Sequence, residues 1–232
     1  MSYVAGVDGC KNGWFAVFLE LQSGNCASNR FDSLRGVLES TYQPVVVAVD
    51  IPIGLLEVAV HGGRSCDRIA RELLGQPRAR SVFSPPVRQA LIHVRDYATA
   101  HRANQQSSPE NIGISKQCHA LFQKIQEADI LCRSKQRKRI FEVHPELCFY
   151  ALNRSKPMQH GKKAKKKIGL EERRNVLRQT QFTSCIDSIL TGRPPDVGRD
   201  DVLDAAIACW TSSRIASKRA VSIGDTVAKI WR

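Results

Sequence analysis

Nowhere do the 232 residues contain an apolar run near the roughly 18 positions that a membrane-spanning helix needs, so no membrane partner is expected. The opening stretch MSYVAGVDGCKNGW lacks a basic segment followed by an apolar one, and no secretory signal is read there. The 8 cysteines (Cys10, Cys26, Cys66, Cys118, Cys132, Cys148, Cys185 and Cys209) include no CxxC pair and have no His-x3-His partner. That excludes the usual zinc spacings. A chain of this length buries a core without covalent staples, so the thiols are expected to be reduced and mostly buried in a cytoplasmic protein. The sequon Asn153-Arg154-Ser155 then carries no weight. Internal repeats are lacking too. Acidic residues are the minority: 22 Asp and Glu face 35 Lys and Arg, a formal net charge of +13. Such a surplus favours a polyanion as partner, nucleic acid first, and the plainer alternative is a basic solubilising surface.

What is present reads as one α/β domain over residues 1–232, with a helical insertion at about 55–135. Residues 3–8 and 14–21 are β-rich runs separated by a turn carrying Asn12-Gly13, the signature of an antiparallel hairpin. A third short strand is expected over 25–31. Asp32-Ser33 caps a helix with Leu34, Val37 and Leu38 on one face. The unbroken apolar run at 45–54 is typical of a strand buried on both sides. Helices are expected at 66–75, around 87–104, over 114–132 (the longest amphipathic one), in EERRNVLRQTQF and over 200–217. RIFEVHPELCF (139–149) reads as a strand running into a turn at Pro145, and Ser84-Pro85-Pro86 as a rigid turn.

The positive charge is concentrated. Lys156, Lys162, Lys163, Lys165, Lys166 and Lys167 crowd a Lys-rich loop at about 153–169, and Arg133, Lys135, Arg137, Lys138 and Arg139 precede the 140s strand. Few aromatics interleave them, which points to phosphate contact rather than base stacking. A solvated lysine loop is the plainer role. Lys116, in GISKQ, is a further candidate phosphate contact, or an ordinary helix-surface lysine.

Against this background, a few acids interrupt apolar context. Asp8 ends the first strand, Asp50 ends the central strand and Glu142 sits in the later one. Asp201 and Asp204, three apart, share a face of the last helix. Parallel sheets place ligands outside the carboxyl ends of their strands, where Asp8 and Asp50 project. Clustered carboxylates stay ionised when cations neutralise them, and oxygen donors suit Mg²⁺ or Mn²⁺, expected here as a two-ion site acting on a phosphodiester. The plainer roles are a turn for Asp8 and a helix cap for Asp200 or Asp201, neither of which covers Asp204. His144, two residues past Glu142, is a proton-donor candidate or a satisfied, partly buried residue.

The segments VAGVDGCKNGWFAV, VAVDIPIGL, GGRSCDRIARELLG, SVFSPPVR, GISKQ, FEVHPELCF and DDVLDAAIACWT together resemble the domain of unknown function 429 family. That family is described as predicted nucleases of the ribonuclease-H-like fold, related to Holliday-junction resolvases. The resemblance implies a mixed sheet of three antiparallel strands followed by parallel ones, flanked by helices. It also implies metal-binding acids at the positions of Asp8, Asp50 and Asp201/Asp204, with a less uniform role for Glu142.

The expectation is therefore a metal-dependent nuclease. Asp8, Asp50, Glu142, Asp201 and Asp204 would be catalytic, all but Glu142 would hold the metal, and the basic segments would hold nucleic acid. A homodimer is admitted. Two alternatives stand: a non-catalytic nucleic-acid-binding protein on the same fold, and an actin-like ATP-dependent phosphotransferase, whose first hairpin resembles DGCKNG but which normally carries a second copy of that unit.

Overall fold

The computed structural model describes residues 1–161 and 166–232, without the side chains of Lys166 and Lys167. The chain forms two compact units, one of residues 1–51, 138–221 and 231–232, the other of residues 52–137 and 222–230.

The first unit opens with β1 (Tyr3–Cys10) and β2 (Gly13–Glu20), an antiparallel pair closed at Lys11-Asn12 as the hairpin signature requires. β3 (Cys26–Phe31) pairs antiparallel with β2. The Ser33 hydroxyl accepts the Gly36 amide at 3.1 Å and starts α1 (Leu34–Leu38). β4 (Val46–Val49) then lies parallel to β1, its four residues all buried. It is shorter than its apolar run because the chain bends at Asp50.

The second unit carries α2 (Ser65–Leu74), α3 (Tyr97–Gln106), α4 (Lys116–His119) and α5 (Phe122–Cys132). Two helices expected from the sequence are broken here. A 3-10 turn covers Arg88–His93, and α3 starts afresh at Asp96, whose carboxylate accepts the Thr99 amide at 3.1 Å. The expected 114–132 helix is likewise two pieces, α4 capped by the Ser115 hydroxyl and α5 beginning past Leu121.

Back in the first unit, β5 (Ile140–Glu142) pairs parallel with β4. Pro145 does not make a turn: it occupies the first helical position of α6 (Pro145–Leu152), where its missing N–H costs nothing. α7 (Lys166–Leu177), α8 (Ile186–Gly192) and α9 (Arg199–Ala216) follow. A short pair, β6 (Ser222–Gly224) and β7 (Lys229–Trp231), whose residues up to 230 belong to the second unit, was not signalled by the sequence pattern.

Among the described residues the main sheet has five strands in the order β3-β2-β1-β4-β5, with β2 running against the rest. It is a mixed sheet flanked by helices. α9 packs on β1, β2 and β4, and its middle is buried all round, from Val202 to Ser213. Gly6 makes this close approach possible. A Cβ there would stand 2.2 Å from the Ala205 carbonyl oxygen and 1.9 Å from the Cys209 nitrogen, both backbone atoms. The Ser212 hydroxyl accepts the Ala48 amide at 3.0 Å and donates to the Ala5 carbonyl, fastening the helix to both central strands. No described helix is long and apolar enough to cross a membrane.

Candidate functional site

Strand register decides which acids share a face. Val7 pairs with Val49, and Val49 with Glu142, so these three side chains leave the same side of the sheet. Asp8, one residue further on within β1, alternates to the other side, the side covered by α9 at Gly6, and Asp50 follows β4 where the chain bends. The Asp50 amide donates to the Val7 carbonyl at 3.0 Å, which keeps the two strand ends level. Glu142 therefore leaves the sheet on the side opposite Asp8, and it too is buried. Sequence alternation alone could not show this, because the parity of a parallel pair is set by distant connections.

The last helix brings the third acid. The Cys209 thiol donates to Val4 O at 3.8 Å, and the Ala205 carbonyl lies over Gly6. One helical turn of four residues, about 6 Å, thus matches two residues of β1, about 6.6 Å. A further turn back along α9 from Ala205 is Asp201, at the level of Asp8, while Asp204 stands one residue, about 1.5 Å, from Ala205. Asp204 is buried, 5% exposed. Asp201 is already engaged: its Oδ2 accepts the Gly198 amide at 2.9 Å, closing the first turn of α9. The helix-cap role named from the sequence thus falls to Asp201.

An independent sign of convergence comes from Cys148 on α6. Burial first, and then the negative charges of Asp50 and Asp204, push its thiol up to about 12. Both carboxylates are therefore within electrostatic reach of one buried sulfur. Asp8 is 8% exposed, and its Oδ1 accepts the Gly9 amide at 2.8 Å.

Among the described residues no three His, Cys, Asp or Glu side chains form a group ready to hold a metal ion. The donor chemistry nonetheless fits Mg²⁺, which is usually held through one or two carboxylates, the rest of its shell being water and substrate phosphate oxygens.

Beside the β1–β2 turn and the start of α9 lies a cleft of about 620 Å³, lined by Lys11, Asn12, Arg193, Arg199 and Asp200 among others. Arg193 is held rigid there, donating to Leu190 O at 2.7 Å and Val197 O at 3.1 Å. The sequence reading passed over Lys11, Arg193 and Arg199. Lys11, inside the hairpin turn, was the signal that could have marked the cleft.

The expected basic contacts fare unevenly. Arg139 donates to Pro44 O at 3.0 Å and to Leu38 O at 3.3 Å, so it anchors the connection before β4. Arg133 pairs with Asp129 at 2.9 Å. Lys135, Arg137 and Lys138 are exposed on a short 3-10 turn. Exposed Lys116 stands 6.0 Å over the Tyr97 ring. Lys162, Lys163 and Lys165 lie outside the described residues, as do the side chains of Lys166 and Lys167. His144 is half-buried at the start of α6.

The fold and these residues define an α/β protein with a mixed five-stranded sheet and carboxylates gathered at the carboxyl ends of its two central strands. The chain belongs to the family described as "Protein of unknown function (DUF429)", whose model matches residues 6–229. Neither the curated proteins nor the solved structures provide a match.

Proposed function

We propose that this chain is a divalent-cation-dependent nuclease built on a ribonuclease-H-like sheet. One relationship carries the reading: Asp8, on the α9 face of β1, and Asp50, just past the end of the parallel β4, stand at the same end of the sheet, and Asp50 and Asp204 both act on the buried Cys148 thiol. The strand order, with β2 alone running against the others, supports the fold assignment.

In this reading Asp8 and Asp50 supply carboxylate oxygens to Mg²⁺ or Mn²⁺, and buried Asp204 adds negative charge that favours a cation there. When bound, the cation supplies charge neutralisation at a phosphodiester and activation of water. Lys11, Arg193 and Arg199 line the neighbouring cleft and hold phosphates of the nucleic-acid backbone. Asp201 belongs to the helix cap, and Glu142 lies outside the set.

The test is cleavage of labelled single-stranded RNA, single-stranded DNA and a four-way DNA junction in Mn²⁺, by the wild-type protein and by Asp8→Asn. Cleavage by the wild type and its loss in the variant is the expected result. Salt-dependent binding with no cleavage under any divalent metal would make the chain a binding module instead. Equal cleavage by both proteins would remove the assignment.

A further inference from the structure

Arg30, in β3, does not line the cleft beside the carboxylates, yet its side chain reaches three places in the first unit. Its Nη2 donates to the Asn12 carbonyl at 2.6 Å, in the β1–β2 turn, and its Nη1 donates to Asp32 Oδ1 at 2.9 Å. Its Nε stands 3.0 Å from Asp196 Oδ2, an ion pair rather than an aligned hydrogen bond. Asn12 and Asp196 both line the cleft, together with Lys11, Arg193 and Arg199.

The two cleft segments that Arg30 joins are held differently. The turn is fixed by the pairing of Cys10 with Gly13. A Cβ at Gly13 would come within 2.2 Å of the Phe31 carbonyl oxygen, so the turn lies tight against the end of β3. Residues 193–198 belong to no helix or strand. Arg193 bonds the carbonyls of Leu190 and Val197, and the Val197 amide bonds Pro194 O, all within the same stretch of chain. The Asp196–Arg30 pair adds a polar tie from that stretch to the sheet.

We propose that Arg30 is a positioning residue of the cleft, which rests on the phosphate-binding role proposed for the cleft above. It carries the place of the turn over to residues 193–198, and so sets the spacing of Lys11 from Arg193 and Arg199. A guanidinium suits this task because its planar fork serves several partners in fixed directions, which an ammonium on a flexible stem does not. The pairing also accounts for Asp196. An acid lining a phosphate cleft opposes the ligand by charge alone, and here its carboxylate is spent on holding the wall in place.

The experiment follows binding of a short fluorescein-labelled single-stranded DNA by anisotropy in EDTA, where no metal-dependent cleavage intervenes. Charge and positioning predict opposite signs for Asp196→Asn. Losing a negative charge from the cleft would tighten binding, whereas losing the tie weakens it. The expected result is binding weaker by about tenfold, the worth of one charge-assisted phosphate contact. Arg30→Lys keeps the charge but loses the fork, and weakens binding to a similar degree. The double variant is no weaker than either single one, because both remove the same tie. A partly exposed ion pair adds little to stability, so all three variants keep urea midpoints close to that of the wild type. Unchanged or tighter binding by Asp196→Asn, or wild-type binding by Arg30→Lys, overturns the proposal and leaves the phosphate-binding role standing. A wild-type protein that does not bind the DNA overturns both.

Discussion

The backbone amide of Asp50 donates to the carbonyl of Val7 at 3.0 Å, and this one bond sets the carboxyl ends of the two central strands level. Asp8 and Asp50 consequently stand at the same end of neighbouring strands, Asp8 on the face that α9 covers. Exact spacing along α9 then matters, because the close approach at Gly6 fixes where the first turns of the helix, with Asp201 and Asp204, stand along β1.

Gly6→Ala is expected to destabilise the protein by at least about 3 kcal/mol, because the added methyl meets helix backbone that cannot swing aside. Urea unfolding of the two proteins measures the difference. An unchanged midpoint would show that α9 does not lie against β1 as described.

Asp201 and Asp204 should separate cleanly. Asp201→Ala removes the acceptor for the Gly198 amide and should cost about 1 kcal/mol of stability while leaving divalent-metal-dependent activity in place. Asp204→Asn should remove the activity at a smaller cost in stability. Denaturation and cleavage assays on both variants check the contrast, and the reverse pattern would exchange their roles.

Arg173 is fully buried and pairs with Glu146, linking α7 to α6, while it also donates to the carbonyls of His160 and Gly169. Removing one partner strands a buried charge, so Arg173→Met or Glu146→Leu should each cost about 3–5 kcal/mol. The double variant should be less damaged than the sum of the two. A double-mutant cycle by chemical denaturation gives the coupling, and strict additivity would show the pair to be uncoupled.

Asp187 is held down to about 2 by hydrogen bonds from Arg174 and Arg178, from an ordinary value of 3.8. Its lowered folded value means the stabilisation is complete above about pH 4 and is lost as the pH falls towards 2. The gap in urea midpoint between wild type and Asp187→Asn should therefore narrow over that window. A gap that stays constant from pH 5 to pH 2 would exclude this linkage.

Much of this arrangement is legible in sequence where local chemistry decides. Asn12-Gly13 marks the hairpin, Ser33 the start of α1, and the apolar run before Asp50 the central strand. The resemblance carried by the ordered motifs agrees with the family match over 6–229. Position failed where a tertiary choice intervened. Pro145 is equally at home in a turn and at a helix start, and the packing of α6 decides for the helix. Asp96 and Ser115 restart helices within stretches whose apolar period looks continuous. Glu142, whose role the resemblance left less uniform, leaves the sheet on the side of Val7 and Val49, which the sequence alone does not show. Lys11, Arg193 and Arg199 escaped notice because the fold, rather than a run of charge, brings them to one cleft.

The central claim is that Asp8 and Asp50 together hold a divalent cation, and calorimetric titration of Mn²⁺ into the folded protein tests it most directly. The account predicts binding to the wild type that weakens at least about tenfold in Asp8→Asn and in Asp50→Asn, since losing a ligand outweighs losing an outer partner. Glu142→Gln should bind as the wild type does. Equal Mn²⁺ affinity in the wild type and both Asp variants, or no binding in the wild type, would contradict it.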